Sequence, residues 1–476
     1  MYVSKIFRMA VCYIFSLIYI FIICSATVFE PEKTIKKGVI YKKGAVEDEN
    51  GKSNVNILEI SPDAKNLKIS PTLPNGYVIG SQFLKDQALA ANKDGLTAIA
   101  GINCDMFVMD DKMMVSLGTP INATIIDGVL YNSSHYAYEA KNLPVFGVDD
   151  SGSPFLGHIY ITCDIKITDK YGKVHSEKSS VLNHNYGGFA DLAIFTRKIN
   201  DEHRLEFLDY EDNALQGVKK DKCNLYIVSG VNDADNIRAG VSYNGKIEAV
   251  LHSELEAEIP EGCIVIADIF HLISYAGEGM AVEFTFSVDE IDKKENIICN
   301  RNNLVQCVGA YNWIVKNGIV QTEESFEEQG FPPIDYIINT KTAKTGIGIK
   351  EDGTIIAATV DEAFSSVGMT MEEWGNFFAS QGAVNAVNFD GGGSTEMILI
   401  NSENGLDTVN SPTGGGSREI ATGLLLLSED GKFNGYDEPE KDMFIIIAAS
   451  VLGVMTLILI INTTVKSVKK RHNKNK

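Results

Sequence analysis

Two asparagine–aspartate pairs with the same spacing stand at the ends of apolar runs that lie far apart in the chain. Asn103 and Asp105 follow the run LTAIAGI, and Asn388 and Asp390 follow AVNAV. Residues two positions apart share one face of a strand, so each pair would display a carboxamide beside a carboxylate. The repeated pattern predicts one polar site assembled from both segments. The alternative is Asx-turn chemistry, in which these side chains only satisfy nearby backbone groups.

Three glycines come directly after the second pair, in the sequence FDGGGST. Gly391, Gly392 and Gly393 have no Cβ, so the backbone there can adopt positive φ and turn its N–H groups toward an anion. Ser394 would add a hydroxyl donor. No lysine follows as in a P-loop, and no G-x-G-x-x-G opens a helix, so nucleotide binding is disfavoured. A simple tight turn is the alternative interpretation.

The cations near these motifs are conspicuous because the chain is acidic. Its formal net charge of −21 argues against a nucleic-acid partner and requires that any anionic ligand meet a local group of donors. Lys344 and Thr345 precede a glycine-bounded strand, and Arg418 follows the glycine run 414–416. Arginine can bind a phosphate or carboxylate with two parallel hydrogen bonds. The alternative is that these cations form ordinary exposed ion pairs.

Short strand-like runs separated by turn residues must position these groups. They predominate between about residues 145 and 320, which predicts an α+β fold of mixed, largely antiparallel β-sheets with flanking helices. Residues 27–94 are expected to form a spacer and an N-terminal β region, with the polar stretch from 27 to about 50 as the spacer.

One helix is predicted immediately before the second asparagine–aspartate pair. Thr370 and Glu373 have the spacing of a capping box, and Gly382 is a plausible C-terminal stop. Three aromatic residues share one face at helical spacing and are expected to be core: Trp374, Phe377 and Phe378. The helix would lead directly into the strand AVNAVNFD.

Both ends of the chain are hydrophobic. The run in residues 1–26 follows two cations and predicts a signal peptide or an N-terminal anchor. Residues 443–461 contain no charge and predict a transmembrane helix, flanked by an acidic linker (429–442) and a basic cytoplasmic tail (462–476). The expected protein is a membrane-anchored ectodomain with an extracytoplasmic body. It would contact membrane lipid through the C-terminal span, or through two spans if the N-terminal segment is uncleaved.

An extracytoplasmic location would also allow two covalent modifications. Some of the six cysteines between the hydrophobic ends could form disulfides, and Cys299 and Cys307 are the nearest couple. The Asn-x-Ser/Thr triplets at Asn122 and Asn132 would be glycan acceptors in a eukaryotic secretory route.

Five segments occur in a fixed order along residues 95–428: GINCDMF, KTAKTGIGI, GMTMEEWGNFFASQGA, NFDGGGSTEM and SPTGGGSREIATGLLL. In these segments and in their order, the chain resembles the phosphodiester glycosidase family. Members of this family hydrolyse the bond between a sugar's anomeric carbon and a phosphodiester oxygen. The resemblance therefore implies a hydrolase that releases a GlcNAc-like sugar from a glycan or cell-envelope polymer and leaves a phosphomonoester. Three departures bear on the substrate: Lys344 replaces an arginine, Met106 replaces an aromatic residue, and Ser417 stands where an acid commonly precedes the arginine.

The residue pattern and the resemblance together give a candidate site. The catalytic candidates are Asp105, Asp390, Asn103 and Asn388. The phosphate-binding candidates are Lys344, Thr345, Gly391, Gly392, Gly393, Ser394 and Arg418. One aspartate would act as nucleophile or base and the other as acid or sugar-hydroxyl ligand, in either order. Glu396 is a reserve candidate that is expected on a strand surface.

Two other kinds of function fit the same residues. The carboxylates and carbonyls could hold Ca²⁺ or Mg²⁺, which would make the site metal-dependent or structural. The protein could also be a non-catalytic cell-surface protein that binds glycans.

Overall fold

The structure, a computed structural model, describes most of the chain between its hydrophobic ends. The described ranges are 26–109, 117–134, 143–184, 192–209, 211, 217–329, 338–363 and 365–435. The predicted N-terminal segment up to residue 25, the predicted transmembrane helix 443–461 and the predicted tail 462–476 lie outside them. Within the described ranges, no helix is long and apolar enough to cross a membrane.

The described chain is built from short strands and three α-helices. The strands of the first third are β1 (Ala26–Phe29), β2 (Lys33–Lys36), β3 (Val39–Asp48), β4 (Gly51–Ile60), β5 (Leu67–Thr72), β6 (Thr97–Asn103), β7 (Thr124–Ile126), β8 (Val129–Asn132), β9 (Val145–Asp149) and β10 (Pro154–Gly157). The strands of the middle third are β11 (Ile159–Thr168), β12 (Val174–Ser179), β13 (Val181–Leu182), β14 (Leu192–Phe195), β15 (Arg204–Glu206), β16 (Asn224–Ser229), β17 (Ser242–His252), β18 (Glu256–Glu258), β19 (Ile264–Asp268), β20 (Ala281–Ile291) and β21 (Ile297–Asn300).

The remaining strands follow residue 300. They are β22 (Leu304–Gly309), β23 (Asn312–Lys316), β24 (Ile319–Val320), β25 (Lys344–Lys350), β26 (Ile355–Val360), β27 (Glu362–Ala363), β28 (Ser366–Val367), β29 (Ala383–Asn388), β30 (Met397–Ile400), β31 (Leu406–Thr408) and β32 (Gly423–Ser428). The helices are α1 (Leu84–Ala90), α2 (Glu323–Glu328) and α3 (Met371–Ser380).

Four larger sheets organise these strands. Sheet I has the order β1-β3-β4-β26-β25-β29-β23-β24, with β2 paired to β3, and sheet II has the order β31-β30-β6-β32-β5. Sheet III is β10-β9-β22-β7-β8, and sheet IV is β12-β11-β20-β17-β16-β19-β14-β13, with β21 paired to β20. Among the described strands, only the short pair β13–β14 is parallel. The prediction of largely antiparallel sheets is confirmed, and helices are few.

Sheets I and II face each other across a shared core that supports the candidate site. Ile347 and Val387 of sheet I pack in one buried cluster with Ile102 and Leu399 of sheet II. The opposite face of sheet I packs on α3, whose Trp374 belongs to a separate buried cluster. Sheet I is therefore covered on both faces, and the ends of its central strands meet the end of β6.

Sheets III and IV form a second core. On β11, buried and more exposed side chains alternate because successive residues of a strand point to opposite faces. Its buried residues pack with Ile125 and Val145 of sheet III. The predominance of strands predicted for residues 145–320 is confirmed.

The predicted helix and its capping are present. Thr370 is the N-cap of α3: its side chain accepts a hydrogen bond from the Glu373 N–H, and the Glu373 side chain accepts one from the Thr370 N–H. Gly382 has a φ of 89° and follows the helix end. The three aromatic residues predicted to be core are buried: Trp374, Phe377 and Phe378.

Two expectations differ from the structure. The polar stretch expected as a spacer forms β2 and β3 of sheet I, where Lys42 pairs with Glu59 of the neighbouring strand at 3.1 Å. Charges that compensate each other across strands were mistaken for a solvated linker. The nearest cysteine couple is also not a disulfide, because Cys299 and Cys307 are both free thiols.

The capping box allows a test of how α3 is held. Thr370→Ala should lower the free energy of unfolding by about 1 kcal/mol, because the Glu373 N–H loses its acceptor. Thr370→Ser retains the hydroxyl and serves as the control. Urea unfolding followed by tryptophan fluorescence would measure both variants. Equal losses in the two variants would show that the hydroxyl does not stabilise the helix.

Candidate active site

The carboxamide of Asn103 joins the two asparagine–aspartate segments. Its Nδ2 donates to the carbonyl oxygen of Asp390 at 2.8 Å. Its Oδ1 accepts from the Thr345 hydroxyl at 2.6 Å and from the Glu396 N–H at 3.0 Å. One buried side chain at the end of β6 thus contacts both sheets, and the two predicted segments lie side by side.

Asp105 lies just past the end of β6 and is 3% exposed. Its N–H donates to the Thr422 hydroxyl at 3.0 Å, and its Oδ2 accepts from the Asn122 N–H at 2.7 Å. Its other oxygen, Oδ1, is buried and accepts no hydrogen bond from the described residues. An unpartnered buried carboxylate oxygen is costly, so this geometry favours the protonated acid.

The electrostatics of Asp105 agree with that geometry. Burial raises the pKa of its carboxyl to about 8, and the nearby charge of Asp390 acts in the same direction. The hydrogen bond from the Asn122 N–H opposes the rise. At neutral pH, Asp105 is therefore mostly protonated and can donate a proton.

Asp390 follows β29 and is half-buried. Its N–H donates to the carbonyl oxygen of Cys104 at 2.7 Å, which fixes it beside Asp105. Burial raises the pKa of the Asp390 carboxyl, while the Ser394 hydroxyl and the Arg418 charge lower it in part. These two partners favour the ionised form, and Asp105 has no comparable cation among the causes of its shift.

The three glycines form a tight turn that leads into a short 3-10 helix (Gly392–Ser394). Gly392 has a φ of 58°, and a Cβ at Gly391 would lie 2.7 Å from the carbonyl oxygen of Ala343. The N–H of Gly392 donates to that same oxygen at 2.8 Å. Close packing against β25 thus requires glycine here, and part of the predicted anion nest is occupied by the protein's own backbone.

Arg418 lies over this turn. Its Nη2 donates to the buried Ser394 hydroxyl at 2.7 Å, and its Nη1 would lie 3.1 Å from a Cβ placed on Gly393. Arg418 is exposed, so the rest of its guanidinium faces solvent. The structure brings together Asp390, the glycine turn, Ser394 and Arg418 as the sequence predicts.

Thr345 and Lys344 point to opposite faces of β25. Thr345 donates to Asn103 on the side of sheet II. Lys344 is buried, and its Nζ donates to the Thr342 hydroxyl at 2.6 Å. Burial lowers the pKa of Lys344 to about 8, although the negative charges of Glu362 and Glu373 act to raise it. Its role as a phosphate ligand stays a prediction.

Asn388 is also set apart from the carboxylates. Its Nδ2 donates to the carbonyl oxygen of Phe389 at 2.6 Å, and its buried Oδ1 accepts no hydrogen bond from the described residues. Its neighbours Ala386 and Val387 belong to different buried clusters, as expected for alternating faces of β29. Asn388 follows the α3 side, so its catalytic role stays a prediction.

Three residues that contact Asp105 were not predicted as site residues. Asn122 and Thr422 hydrogen-bond to it, and a Cβ on Gly309 would lie 2.4 Å from its Oδ2. The sequence around Asn122 offered a signal that was interpreted as a glycan acceptor. That interpretation is wrong for Asn122 and Asn132, because both side chains are fully buried and glycan transfer needs an accessible amide.

The alternative of a metal centre depends on which side chains could ligate an ion. In the part of the chain that the structure describes, no three His, Cys, Asp or Glu side chains form a group that could hold an ion. Asp105 and Asp390 are the oxygen donors of the site that Ca²⁺ or Mg²⁺ would use.

Solved structures with a similar fold include proteins from Synechocystis and from Burkholderia pseudomallei. A protein from Synechocystis has a TM-score of 0.63 and 17% identity, covering 84% of this chain and 64% of that one. A protein from Burkholderia pseudomallei has a TM-score of 0.59 and 20% identity, covering 80% of this chain and 74% of that one. At these identities the likeness shows the fold alone.

Sequence comparison gives a more specific result. The N-acetylglucosamine-1-phosphodiester alpha-N-acetylglucosaminidases of Bos taurus and Homo sapiens are each 29% identical to this chain over 111 residues. The aligned part is 22% of this chain, and it spans about a fifth of the length of these relatives. The phosphodiester glycosidase model matches residues 235–427, which include the glycine turn and Arg418. Residues 235–427 of this chain are therefore similar to the phosphodiester glycosidase family.

Proposed function

We propose that this protein hydrolyses a sugar-1-phosphodiester, releasing the sugar and leaving a phosphomonoester on the aglycone. The observation that carries the proposal is that the buried Asp105, whose carboxyl has a pKa raised by burial, lies beside the half-buried Asp390 and the glycine turn that Arg418 contacts through Ser394. Most glycosidases cleave the glycosidic bond with two carboxyl groups, one protonated as the acid and the other ionised as nucleophile or base.

Asp105 would be the acid in this reaction. Its unpartnered Oδ1 carries the proton in the protonated form, since Oδ2 already accepts from the Asn122 N–H. The departing phosphomonoester is a fair leaving group, so partial protonation of the bridging oxygen is enough for the bond to break. The acid would move its proton toward that oxygen as the bond to the anomeric carbon breaks.

Asp390 would act on the sugar side of the bond. In its ionised form it can stabilise an oxocarbenium-like transition state, attack the anomeric carbon, or activate a water molecule. The Ser394 hydroxyl and the Arg418 charge both favour that ionised form. Each aspartate thus has an environment that suits its proposed role.

Arg418 and Ser394 would meet the phosphoryl oxygens. The glycine turn alone offers few free donors, since the N–H groups of Gly391 and Gly392 are used within the protein. Arg418 has several N–H groups left after its bond to Ser394. Charge-assisted hydrogen bonds from a guanidinium are stronger than neutral ones and fit a phosphate geometrically.

The sugar is proposed from the relatives. The bovine and human proteins are named for a substrate that carries N-acetylglucosamine on a phosphodiester. The share of their length that matches is small, so a GlcNAc-like sugar is the starting hypothesis for screening.

We also propose that the domain acts on the extracytoplasmic side of a membrane. The support is the uncharged run 443–461 with its acidic upstream flank and basic tail. Protease treatment of intact cells should then digest the body and spare an epitope placed at the C-terminus. Digestion of that epitope with the body intact would reverse the proposed orientation.

Substitution of the two aspartates tests the reaction. Purified protein would be incubated with UDP-GlcNAc and with methyl GlcNAc-1-phosphate, with and without EDTA, while free GlcNAc is measured. Asp105→Asn and Asp390→Asn should each reduce release by about 10²-fold or more, because each removes a proton-transfer or charge-stabilising group. Asp164→Asn, on an exposed strand position, is the matched control.

The outcomes separate the alternatives. Full activity in either site variant would contradict the assignment of that aspartate. Loss of release in EDTA, with recovery on adding Ca²⁺ or Mg²⁺, would support the metal-dependent alternative. Binding of GlcNAc-1-phosphate without release of sugar from either compound would indicate a glycan-binding protein.

The raised pKa of Asp105 predicts the pH dependence of the reaction. Asp105 must be protonated to act as the acid, so kcat/KM should fall about tenfold per pH unit above about 8. A profile that stays flat to pH 9.5 would exclude this acid.

The same pKa predicts a dependence of stability on pH. The folded protein holds a proton on Asp105 that the unfolded chain releases above its ordinary pKa near 4, so folding is favoured at low pH by this group. Its contribution should be lost progressively between about pH 4 and pH 8. Compared with Asp105→Asn, the wild-type protein should lose more than about 1 kcal/mol of stability over that range. Parallel urea-unfolding curves for the two proteins at pH 5, 6.5 and 8 would measure the difference.

A further inference from the structure

Glu396 is a buried acid that the proposed reaction does not use. It is 2% exposed and directly precedes β30. Its N–H donates to the Asn103 Oδ1, so its backbone is fixed to the centre of the site. The expectation that it lies on a strand surface is wrong. Burial of a carboxyl group is costly unless it makes specific hydrogen bonds, which directs attention to its partners.

One carboxylate oxygen of Glu396 accepts hydrogen bonds from two hydroxyl groups. Its Oε1 accepts from the Ser417 hydroxyl at 2.6 Å and from the Thr408 hydroxyl at 2.7 Å. Its Oε2 is buried and has no hydrogen-bond partner among the described residues. Thr408 ends β31, which is paired to β30. Ser417 is exposed and is the residue immediately before Arg418. The contact with Ser417 therefore joins Glu396 to the residue immediately before Arg418.

The segment 410–418, here called the strap, crosses the glycine turn and is held at its beginning. The Asn410 side chain bonds to the backbone of Met397 and Thr395, and the Ser411 N–H donates to Asp361. The middle of the strap is the exposed glycine run 414–416, which has little intrinsic stiffness. After those glycines the chain is fixed on both sides of Arg418: Ser417 bonds to Glu396 on one side, and the Ile420 backbone pairs with Gln82 on the other.

We infer that Glu396 is a positioning residue that holds Arg418 over the glycine turn through Ser417. The inference rests on the proposed function and refines it, because it makes Glu396 a determinant of affinity for the charged phosphoryl group. The Ser417–Glu396 hydrogen bond fixes the strap one residue before Arg418. The hydrogen bond from Arg418 to the Ser394 hydroxyl fixes the guanidinium itself. Both contacts must persist for the guanidinium to meet a phosphate without first being ordered.

Ser417→Ala is the central test, because Ser417 is exposed and the variant should fold. For the full-length protein, KM for methyl GlcNAc-1-phosphate should rise about tenfold. The KM for p-nitrophenyl GlcNAc, whose leaving group carries no phosphate, should rise much less. Glu396→Gln should shift the two KM values in the same pattern. A general structural defect would raise both KM values together and lower the melting temperature.

Two further variants isolate the path through Arg418. Thr408→Val removes the other hydroxyl on the same Glu396 oxygen but leaves the strap attached, so its KM for the diester should stay within twofold of wild type. In an Arg418→Ala background, Ser417→Ala should add nothing. Persistence of the tenfold effect without Arg418, or an equal effect of Thr408→Val, would overturn the inference.

Failure of the proposed function would be recognised separately. If the wild-type protein releases sugar from neither compound, calorimetric binding of GlcNAc-1-phosphate to the same variants gives the readout. Weaker binding in Ser417→Ala that disappears in the Arg418→Ala background would still support the positioning role. No difference between wild type and Ser417→Ala, or no binding of this anion to either protein, would overturn it.

Discussion

The site depends on the hydrogen bonds that the carboxamide of Asn103 makes. It satisfies three polar groups that belong to different parts of the fold: the Asp390 carbonyl, the Thr345 hydroxyl and the Glu396 N–H. An amide has both donors and an acceptor, so no carboxylate or aliphatic side chain could replace it without leaving a buried group unpaired. Through this one residue, the end of β6 determines where the glycine turn and β30 begin.

Around that junction the protein keeps two carboxyl groups in unlike surroundings. Asp105 is enclosed and contacts backbone N–H and hydroxyl groups, whereas Asp390 is half-buried beside Ser394 and Arg418. Gly309 permits the enclosure, because any side chain there would occupy the space of the Asp105 carboxyl. Burial raises the pKa of both carboxyl groups, but only Asp390 has a hydroxyl group and a guanidinium that oppose the rise.

The sequence predicts those features that local spacing determines. The capping box at Thr370 and Glu373 is four residues long, and the two asparagine–aspartate pairs end strands whose apolar runs are evident. The features that it does not predict depend on distant partners. Lys344 and Thr345 are adjacent, yet only the facing of β25 within two packed layers decides which one reaches Asn103.

Burial was the hardest property to predict. Asn122 has the sequence of a glycan acceptor and Glu396 that of an exposed strand position, yet both are enclosed because strands from elsewhere cover them. The strands β2 and β3 were not predicted, because their charged residues were expected to be solvated. Their lysines suggested a linker, although pairing across the sheet lets such residues join a strand. No window of neighbouring residues contains this information.

The position of β6 between β30 and β32 has a consequence for the order in which the protein is made. Asn103 is 287 residues away from Asp390, and Asp105 is 317 residues away from Thr422. Contacts over such sequence separations close slowly, and chains emerge from the ribosome N-terminus first. The central strand of sheet II must therefore wait unpaired until nearly the whole domain has been synthesised. A nascent chain that stalls before β30 would contain Asp105 and all of sheet IV, but it would expose an apolar strand to chaperones and lack Arg418.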